Sequence, residues 1–278
     1  MTFAAEIQNI EKILYLFVDN NTDFGSPSQV DPIFIAMIRA YQKDIQKDIT
    51  TKNSYIRKMI LTEFVEDQTY SPIEEISTRM GLEKISSHLT KVMLQNFPSL
   101  DGEAQKDLRD YLQYLFLEVM NNVVDHSHSD VGGYTMAQYF PSGKKIQFVV
   151  ADRGIGFLEN IQLNFDIETE EDAILKALKK GVTSTTQTMY GAERNAGYGL
   201  YAMFEILKLT GGQFVIISND TLIRYIDGEI TKKELLYPWK GVVVAFEFFE
   251  SEINYDMDYF KRNYLWADEL EEDDEDFF

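Results

Sequence analysis

The chain contains no cysteine among its 278 residues. Disulfide bonds and thiolate metal sites are therefore excluded, and the composition fits a reducing compartment. No apolar run approaches the roughly 18 residues that a membrane-spanning helix needs. The first residues carry neither the basic start nor the cleavage signal of a secretory leader. The sequence thus predicts a cytoplasmic protein that does not cross a membrane.

Basic residues are scarce, with 26 Lys and Arg against 46 Asp and Glu, for a formal net charge of −20. The last eleven residues, DELEEDDEDFF, hold eight acids and no base, which leaves 38 acids against 26 bases, or −12, for the remainder. An acidic surface repels phosphate backbones, so we do not expect nucleic acid as a partner. The composition of the tail predicts a solvated, disordered end, with a segment that attracts a basic partner or mimics DNA as the alternative.

The sequence contains enough apolar and aromatic residues to form a hydrophobic core. Apolar residues make up 45% and aromatic residues 13% of the chain, as in folded globular proteins. Helical patterns come first, and strands and helices then mix, which predicts an α+β fold preceded by a helical segment. We predict a helical, possible partner-binding region over 1–95, a domain over 96–252, and an extension with the acidic tail over 253–278.

Local signals place the individual elements. A proline in the first turn begins a helix at about Pro32 that runs to about Thr50. In SPIEE, Ser71 reads as the N-cap of a further helix, with Glu74 closing a capping box. YTMAQYF and KIQFVVAD, joined by PSGK, predict a β-hairpin, and QFVIIS and GVVVAFEFF predict two strands with the hairpin signal YIDGEI between them. Further helices are predicted over EEDAILKALKKG and GYGLYAMFEILKL.

Polar residues interrupt an apolar helical pattern in EVMNNVVDHSHS, residues 118–129. At helical spacing Glu118, Asn122 and His126 share one face with Asp125, while apolar residues fill the opposite arc. A solvated face usually carries Lys, Glu and Gln, whereas Asn, Asp and His are weak helix formers. The pattern therefore favours the wall of a site, with an ordinary solvated face as the alternative.

Two glycine motifs follow this helix. In VVADRGIGF, Asp152 ends a buried strand and can accept a hydrogen bond, while Gly154 and Gly156 allow close approach to a flat ligand. In NAGYGL, Gly197 and Gly199 open a helix, whose first amides favour an anion such as phosphate. Each motif by itself also occurs in ordinary turns.

In this order and spacing the three stretches resemble the GHKL ATPases, which include gyrase, a heat-shock chaperone, histidine kinases and mismatch-repair proteins. EVMNNVVDH is similar to the N box of that family, DRGIGF to its G1 box and GYGL to its G2 box, with the ATP lid between the last two. The resemblance covers about residues 100–250. It implies the Bergerat fold, a sandwich in which helices cover one face of a mixed, mostly antiparallel sheet. The His after the N box is similar to that of anti-sigma-factor kinases and histidine-kinase catalytic domains.

The resemblance implies roles for five residues by position. Glu118 would polarise the attacking water, and Asn122 would ligate Mg²⁺, an ion that binds few protein ligands and keeps its waters. Asp125 and His126 would line the phosphate end. Asp152 would accept a hydrogen bond from the adenine amino group.

The glycine motifs and the lid supply the remaining implied contacts. The first glycine pair would lie beneath the base, the second motif would cradle the phosphates, and polar lid residues could meet phosphate. Many family members also place a Thr after a late-strand Gly near the adenine, where this chain has Gly241 followed by valines. The residues implied are Gly154, Gly156, Gly197, Tyr198, Gly199, Leu200, Thr183, Ser184 and Arg194.

The resemblance thus implies an ATP-binding protein, a Mg²⁺-dependent ATPase, whose nucleotide state controls an unidentified regulatory or effector protein, with a homodimer as a possible state. One alternative is a protein kinase that acts in trans on serine. Another is a transcription regulator that uses residues 71–94, which resemble a helix-turn-helix but carry charges that cancel.

Three other interpretations are set aside. GYGLYA matches G-x-G-x-x-A, but a polar loop rather than a strand leads into it. Zinc needs three or four strong ligands, and His126 and His128 are two of only three histidines. His88 is not followed by the acid that usually follows a phosphoacceptor histidine, so we read it as an ordinary helix residue.

Overall fold

The structure, a computed structural model, describes residues 10–27, 30–61, 69–95, 102–179, 182, 199–209 and 211–249. These residues form eight α-helices and a five-stranded sheet, so the α+β class is confirmed. The helices are α1 (Ile10–Tyr15), α2 (Pro32–Ile45), α3 (Ser54–Leu61), α4 (Leu82–Gln95), α5 (Gly102–His126), α6 (Phe157–Ile161), α7 (Glu170–Ala177) and α8 (Gly199–Leu209). The strands are β1 (Glu74–Ile76), β2 (Gly133–Phe140), β3 (Lys145–Asp152), β4 (Gln213–Ile226) and β5 (Glu229–Phe249).

The sheet is antiparallel, with the strand order β1-β2-β3-β5-β4. β2 and β3 form the predicted hairpin, and β4 and β5 form a second one. The second hairpin turns at Asp227 and Gly228, whose φ angles of 51° and 83° suit a two-residue turn. β4 and β5 continue through the polar stretch between the two predicted strands, so most of that stretch is paired.

Both faces of the sheet are buried. Along β3, Phe148 and Val150 face one side, and Val149 and Ala151 face the other. The four consecutive apolar residues from Phe148 to Ala151 require cover on both sides. Buried residues of α4, α5 and α8 pack on the first face.

The N-terminal helices cover the second face. Phe34 and Met37 of α2 are fully buried with residues of β2, β3, β4 and β5. Trp239 of β5 is the largest fully buried side chain of this cluster. The expectation that helices cover only one face is therefore wrong, because α1, α2 and α3 pack on the other.

The ends of α2 show how local signals set a helix boundary. The N-cap residue Asp31 accepts a hydrogen bond on Oδ1 from the Phe34 amide at 2.9 Å, and Pro32 occupies the first turn as predicted. Gln46 adopts the left-handed conformation with φ of 52° and closes the helix. The helix therefore ends at Ile45, before the predicted end at Thr50.

The helix predicted to begin after Ser71 is wrong. The Ser71 amide donates to the Ala137 carbonyl at 2.8 Å, and the Ser71 hydroxyl accepts from the Ala137 amide at 2.8 Å. The chain then continues as edge strand β1, in which Glu74 pairs with Thr135. Pairing with β2 overrides the local capping signal, and the helix-turn-helix interpretation loses its first helix.

α5 carries the polar face that the sequence singled out. It has 25 residues and begins at Gly102, slightly before the predicted start at Gln105. The predicted apolar arc is buried, which confirms the orientation of the helix. The buried residues are Leu112, Leu115, Phe116, Val119, Met120 and Val123.

α4 packs on α5, and the Ser86 hydroxyl donates to the Gln113 carbonyl at 2.9 Å. The predicted boundaries near residues 95 and 252 stay predictions. Within the described ranges, no helix is both long enough and apolar enough to cross a membrane.

Candidate functional site

The three sequence stretches lie close together along α5. Glu118 packs against Gly199, the first residue of α8, where an added Cβ would lie 2.8 Å from Glu118 Cβ. Beyond the end of α5, the Ile155 amide of the loop after β3 donates to the Ser127 carbonyl at 2.9 Å. The polar face of α5 is thus bordered by both glycine motifs.

Asp152, the last residue of β3, is held by one of its two carboxylate oxygens. Its Oδ1 accepts hydrogen bonds from the amides of Gly154 at 2.8 Å and Val242 at 3.2 Å. Within the part of the chain that the structure describes, Oδ2 makes no hydrogen bond. Burial raises the pKa of Asp152 to about 6, although both amides and Arg153 lower it. Asp152 Oδ2 can therefore accept a hydrogen bond from a donor group of a ligand.

β5 approaches Asp152 most closely at Gly241. A Cβ there would lie 2.6 Å from the Asp152 carbonyl oxygen, and φ is +100°, so the position requires glycine. Trp239 donates from Nε1 to the same carbonyl at 2.9 Å. Where the family pattern has a Thr after the Gly, Val242 contributes its backbone amide to the aspartate.

The glycines of DRGIGF lie against protein atoms. An added Cβ at Gly154 would overlap the Ser127 carbonyl oxygen. At Gly156, where φ is +88°, it would overlap the Asn219 side chain. Close packing within the protein thus accounts for both glycines, and their predicted contact with a flat ligand stays a prediction.

A buried carboxylate that the sequence analysis missed supports this loop. Glu170 Oε1 accepts hydrogen bonds from the Phe157 amide at 2.8 Å and from the Ser218 hydroxyl. It thereby joins the start of α6 to β4. No signal in the sequence distinguishes Glu170 from Glu168 and Glu171 beside it, because only the tertiary contacts bury it.

Glu118 lies in a half-buried, electrostatically mixed environment. Burial and, to a smaller extent, nearby Asp125 raise the pKa of Glu118 to about 7, although Arg79 lowers it. A general base works best when its pKa lies near the operating pH. The environment of Glu118 is therefore suited to the role that the resemblance implies.

Asp125 pairs with an arginine from outside the predicted ATP-binding region. Arg79, in the turn between β1 and α4, donates from Nη2 to Asp125 Oδ1 at 2.7 Å and Oδ2 at 2.6 Å. The sequence analysis missed this arginine as a site residue, since it lies 46 positions earlier in the chain. Asp125 meets a cation here, and its predicted contact with phosphate stays a prediction.

Asn122 and His126 lie one and two turns after Glu118, and both are partly buried. Burial lowers the pKa of His126, although Asp125 raises it. The backbone carbonyl of His126 accepts a hydrogen bond from Asn160 Nδ2 at 2.6 Å. Leu200, by contrast, packs on the core through its side chain.

Arg153 connects the candidate site to the N-terminal helices. Its Nε donates to Asp44 Oδ2 of α2 at 3.1 Å, and its guanidinium carbon lies 4.4 Å from the Trp239 ring centroid. Lys240 Nζ also donates to Asp44, on Oδ1 at 3.2 Å. Burial lowers the pKa of Arg153, while Asp44 raises it. The helices on the second face of the sheet thus contact the residue next to Asp152.

Several predicted site residues lie outside the described residues. These are the lid and the front of the phosphate motif, so the phosphate end is only partly described. The residues are Thr183, Ser184, Arg194, Gly197 and Tyr198.

Among the described residues, no group of three or more His, Asp or Glu side chains is arranged to hold a metal ion. Mg²⁺ takes few protein ligands and completes its shell with water and phosphate oxygens. An amide oxygen from Asn122 has the chemistry for such a site, and this assignment stays a prediction.

No family model and no curated protein matches the chain.

Proposed function

We propose that the protein binds ATP with Mg²⁺ beside α5, between the loop after β3 and the start of α8, and that its nucleotide state regulates a partner protein. The observation that carries the proposal is the Asp152 carboxylate. One oxygen is fixed by two backbone amides, and the other makes no hydrogen bond within the described residues. Asp152 is only 4% exposed, yet this second oxygen keeps contact with solvent, so it can accept a hydrogen bond from the amino group of adenine.

The opposite end of the proposed site suits the phosphates. α8 begins at Gly199 beside Glu118, and the first amides of a helix attract anions. Asn122 would hold Mg²⁺, which neutralises phosphate charge when bound. The two ends are joined by the polar face of α5, as an extended ligand requires.

The Bergerat arrangement is part of the proposal. α5 and α8 lie on one face of an antiparallel sheet, and Asp152 lies at the end of a central strand. The three N-terminal helices on the opposite face are an addition to the expected arrangement. One of them, α2, contacts the loop of the site through the Asp44–Arg153 pair, which gives a partner that binds region 1–95 a route to the nucleotide.

The proposed chemistry follows from Glu118. As a general base it takes a proton from water, whose oxygen attacks the γ-phosphorus while ADP leaves with the bridging oxygen. A serine hydroxyl of a partner protein in place of water would give a kinase. ATP labelled on the γ-phosphate distinguishes the two, because hydrolysis releases labelled phosphate and a kinase transfers the label to protein.

Asp152→Asn tests the nucleotide site. The amide oxygen of Asn can still accept from Gly154 and Val242, so we expect the variant to fold. Its amide nitrogen replaces the second acceptor, and a hydrogen bond to a charged group is worth roughly 1.5–3 kcal/mol. ATP affinity, measured by calorimetry, should therefore fall by about tenfold or more.

Asp227→Asn is the matched control, since it makes the same chemical change at the tip of the β4–β5 hairpin, where Asn also accepts a positive φ. The parent protein should prefer ATP to GTP, because guanine presents a carbonyl where adenine has its amino group. Equal affinities for ATP and GTP, or an unchanged ATP affinity in Asp152→Asn, would refute the assignment.

A further inference from the structure

The second surface of interest lies on α2, away from the candidate site. The chain has a net charge of −20, yet residues 39–58 contain six basic and two acidic residues. Arg39, Lys43 and Lys47 recur at four-residue intervals, and we call these three residues the α2 basic stripe. They border a cavity of about 390 Å³ lined by Arg39, Gln42, Lys43, Gln46, Lys47 and Asp48.

The charges of the stripe are only partly compensated. Lys43 Nζ lies 3.5 Å from Glu75 Oε2, and the Lys43 side chain is still 46% exposed. Arg39 donates from Nη1 to the neutral Gln42 at 2.7 Å. A helix C-terminus favours a cation in its last turn, which accounts for Lys43. It does not account for Arg39, which precedes that turn, or for Lys47, which lies beyond the helix.

We propose that the α2 basic stripe binds the chain's own C-terminal acidic segment, residues 268–278. That segment holds eight acids and no base, so its charge is opposite to that of the stripe. Contacts of this kind between exposed side chains are weak one by one, and several together stabilise a complex that salt dissociates.

The segment can reach the stripe within one chain. α2 packs along β3, and Lys145 at the start of β3 pairs with Phe249 at the end of β5. The stripe therefore lies about one helix length away, roughly 21 Å for 14 residues at 1.5 Å each. The connecting residues 250–267 span up to about 60 Å when extended.

Attachment to the same chain also favours this occupant over a free acidic partner. A tethered segment has an effective concentration near the millimolar range. A free acidic peptide of similar intrinsic affinity would have to reach that concentration to compete. The stripe is thus occupied by residues 268–278 unless a tighter acidic partner displaces them.

The absence of cysteine permits a direct distance measurement in the full chain. Asp48→Cys, beside the stripe, and Leu270→Cys, within the acidic segment, give two unique positions for spin labels. Electron–electron resonance without nucleotide should show a short-distance population at low salt. That population should be lost near about 1 M salt, where charges are screened beyond roughly 3 Å.

Charge reversal identifies the stripe as the binding surface. In the doubly labelled chain, Lys43→Glu with Lys47→Glu should reduce the short-distance population by about tenfold or more. Each exposed ion pair contributes up to roughly fivefold to the binding equilibrium. Lys84→Glu with Lys106→Glu, the same charge change at exposed positions of α4 and α5, should leave it unchanged. Asp273→Lys with Asp274→Lys in the reversed stripe should restore it.

Two results would overturn the proposal. One is a broad distance distribution in the parent at low salt, and the other is a short-distance population that survives reversal of the stripe. A short distance found only between chains, in mixtures of singly labelled protein, would replace the intramolecular contact with one between copies. Because no nucleotide is added, none of these results depends on the proposed function.

Discussion

The two ends of the candidate site are built differently. At one end Asp152 is 4% exposed and is held by backbone amides of its own loop and of β5. At the other end Glu118 is half-buried, and its electrostatic neighbour Arg79 has a side chain that is 67% exposed. Buried hydrogen bonds from backbone amides fix the position of the Asp152 carboxylate. Contacts with exposed side chains change the pKa of Glu118 without holding it in one position. The Asp152 end is therefore the rigid part, and the Glu118 end is the part whose charge responds to its surroundings.

The two ends of the site also contact different parts of the fold. Arg153, next to Asp152, connects to Asp44 on the second face of the sheet. Glu118 contacts α8 and, among the described residues, is influenced by Asp125 and Arg79. Substitutions at the Asp152 end should thus change the stability of the fold, and those at the Glu118 end should change its dependence on pH.

Gly154→Ala should have the largest effect, because the added methyl group overlaps the Ser127 carbonyl oxygen and forces backbone to move. Overpacking of a well-packed site costs about 1–3 kcal/mol and occasionally more. We expect a loss of about 3 kcal/mol in the free energy of unfolding, measured by urea denaturation. Gly143→Ala is the control, since its methyl group would meet the Lys145 side chain at 3.4 Å, an ordinary van der Waals distance. Similar losses in both variants would contradict the rigid packing of this end.

Asp44→Ala should have the next largest effect. It leaves the Arg153 side chain, which is only 11% exposed, without its carboxylate. Loss of one partner from a fully buried pair costs about 3–5 kcal/mol, and partial exposure of Asp44 reduces this to about 1–3 kcal/mol. Thermal and urea denaturation measure the loss. Asp48→Ala, at an exposed position just past α2, should change stability by less than about 0.5 kcal/mol. Equal effects would mean that Asp44 does not anchor Arg153.

Glu118→Gln should change stability in a pH-dependent way. The pKa of Glu118 in the folded protein, about 7, lies above its ordinary value of 4.5. The folded state therefore binds this proton more tightly than the unfolded state, so the contribution of Glu118 to stability falls as pH rises from 4.5 to 7. Gln cannot ionise and avoids that loss. At pH 8 the variant should be more stable than the parent by about 1–2 kcal/mol, after allowance for solvent screening.

Urea denaturation at pH 4 and pH 8 measures this difference, which should vanish at the lower pH. Glu83→Gln makes the same change at an exposed position of α4 and serves as the control. A difference between Glu118→Gln and the parent that is the same at both pH values would show that Glu118 does not change charge in this range.

Arg79→Ala should have the smallest effect on stability. Its ion pair with Asp125 is exposed, and such pairs contribute about 0–1 kcal/mol. Because Arg79 lowers the pKa of Glu118, its removal should raise that pKa further. The pH at which the difference between Glu118→Gln and its parent stops growing should therefore move upward in an Arg79→Ala background. Arg79→Lys keeps the charge and should move it less. If this pH does not change in either background, Arg79 does not influence the pKa of Glu118.

The sequence by itself determined the features that local patterns encode. The period of apolar residues placed α5 with its buried arc, and alternating apolar residues and turn signals placed both hairpins. A polar face on an otherwise apolar helix singled out Glu118, Asn122, Asp125 and His126. The predictions of the helix and of both hairpins are confirmed, because helix and strand periods depend on residues that are close in the chain, and the role of the polar face stays a prediction.

Only the tertiary structure decided which distant residues meet. Pairing with β2 turned the segment after Ser71 into a strand, against its capping signal. Packing on the second face brought Asp44 to Arg153, folding of α7 buried Glu170, and the turn after β1 brought Arg79 to Asp125. Each of these depends on contacts between residues far apart in sequence, whose energies no local pattern records. The same tertiary packing shows that Gly154 and Gly156 lie against protein atoms, which the motif alone could not distinguish from a ligand.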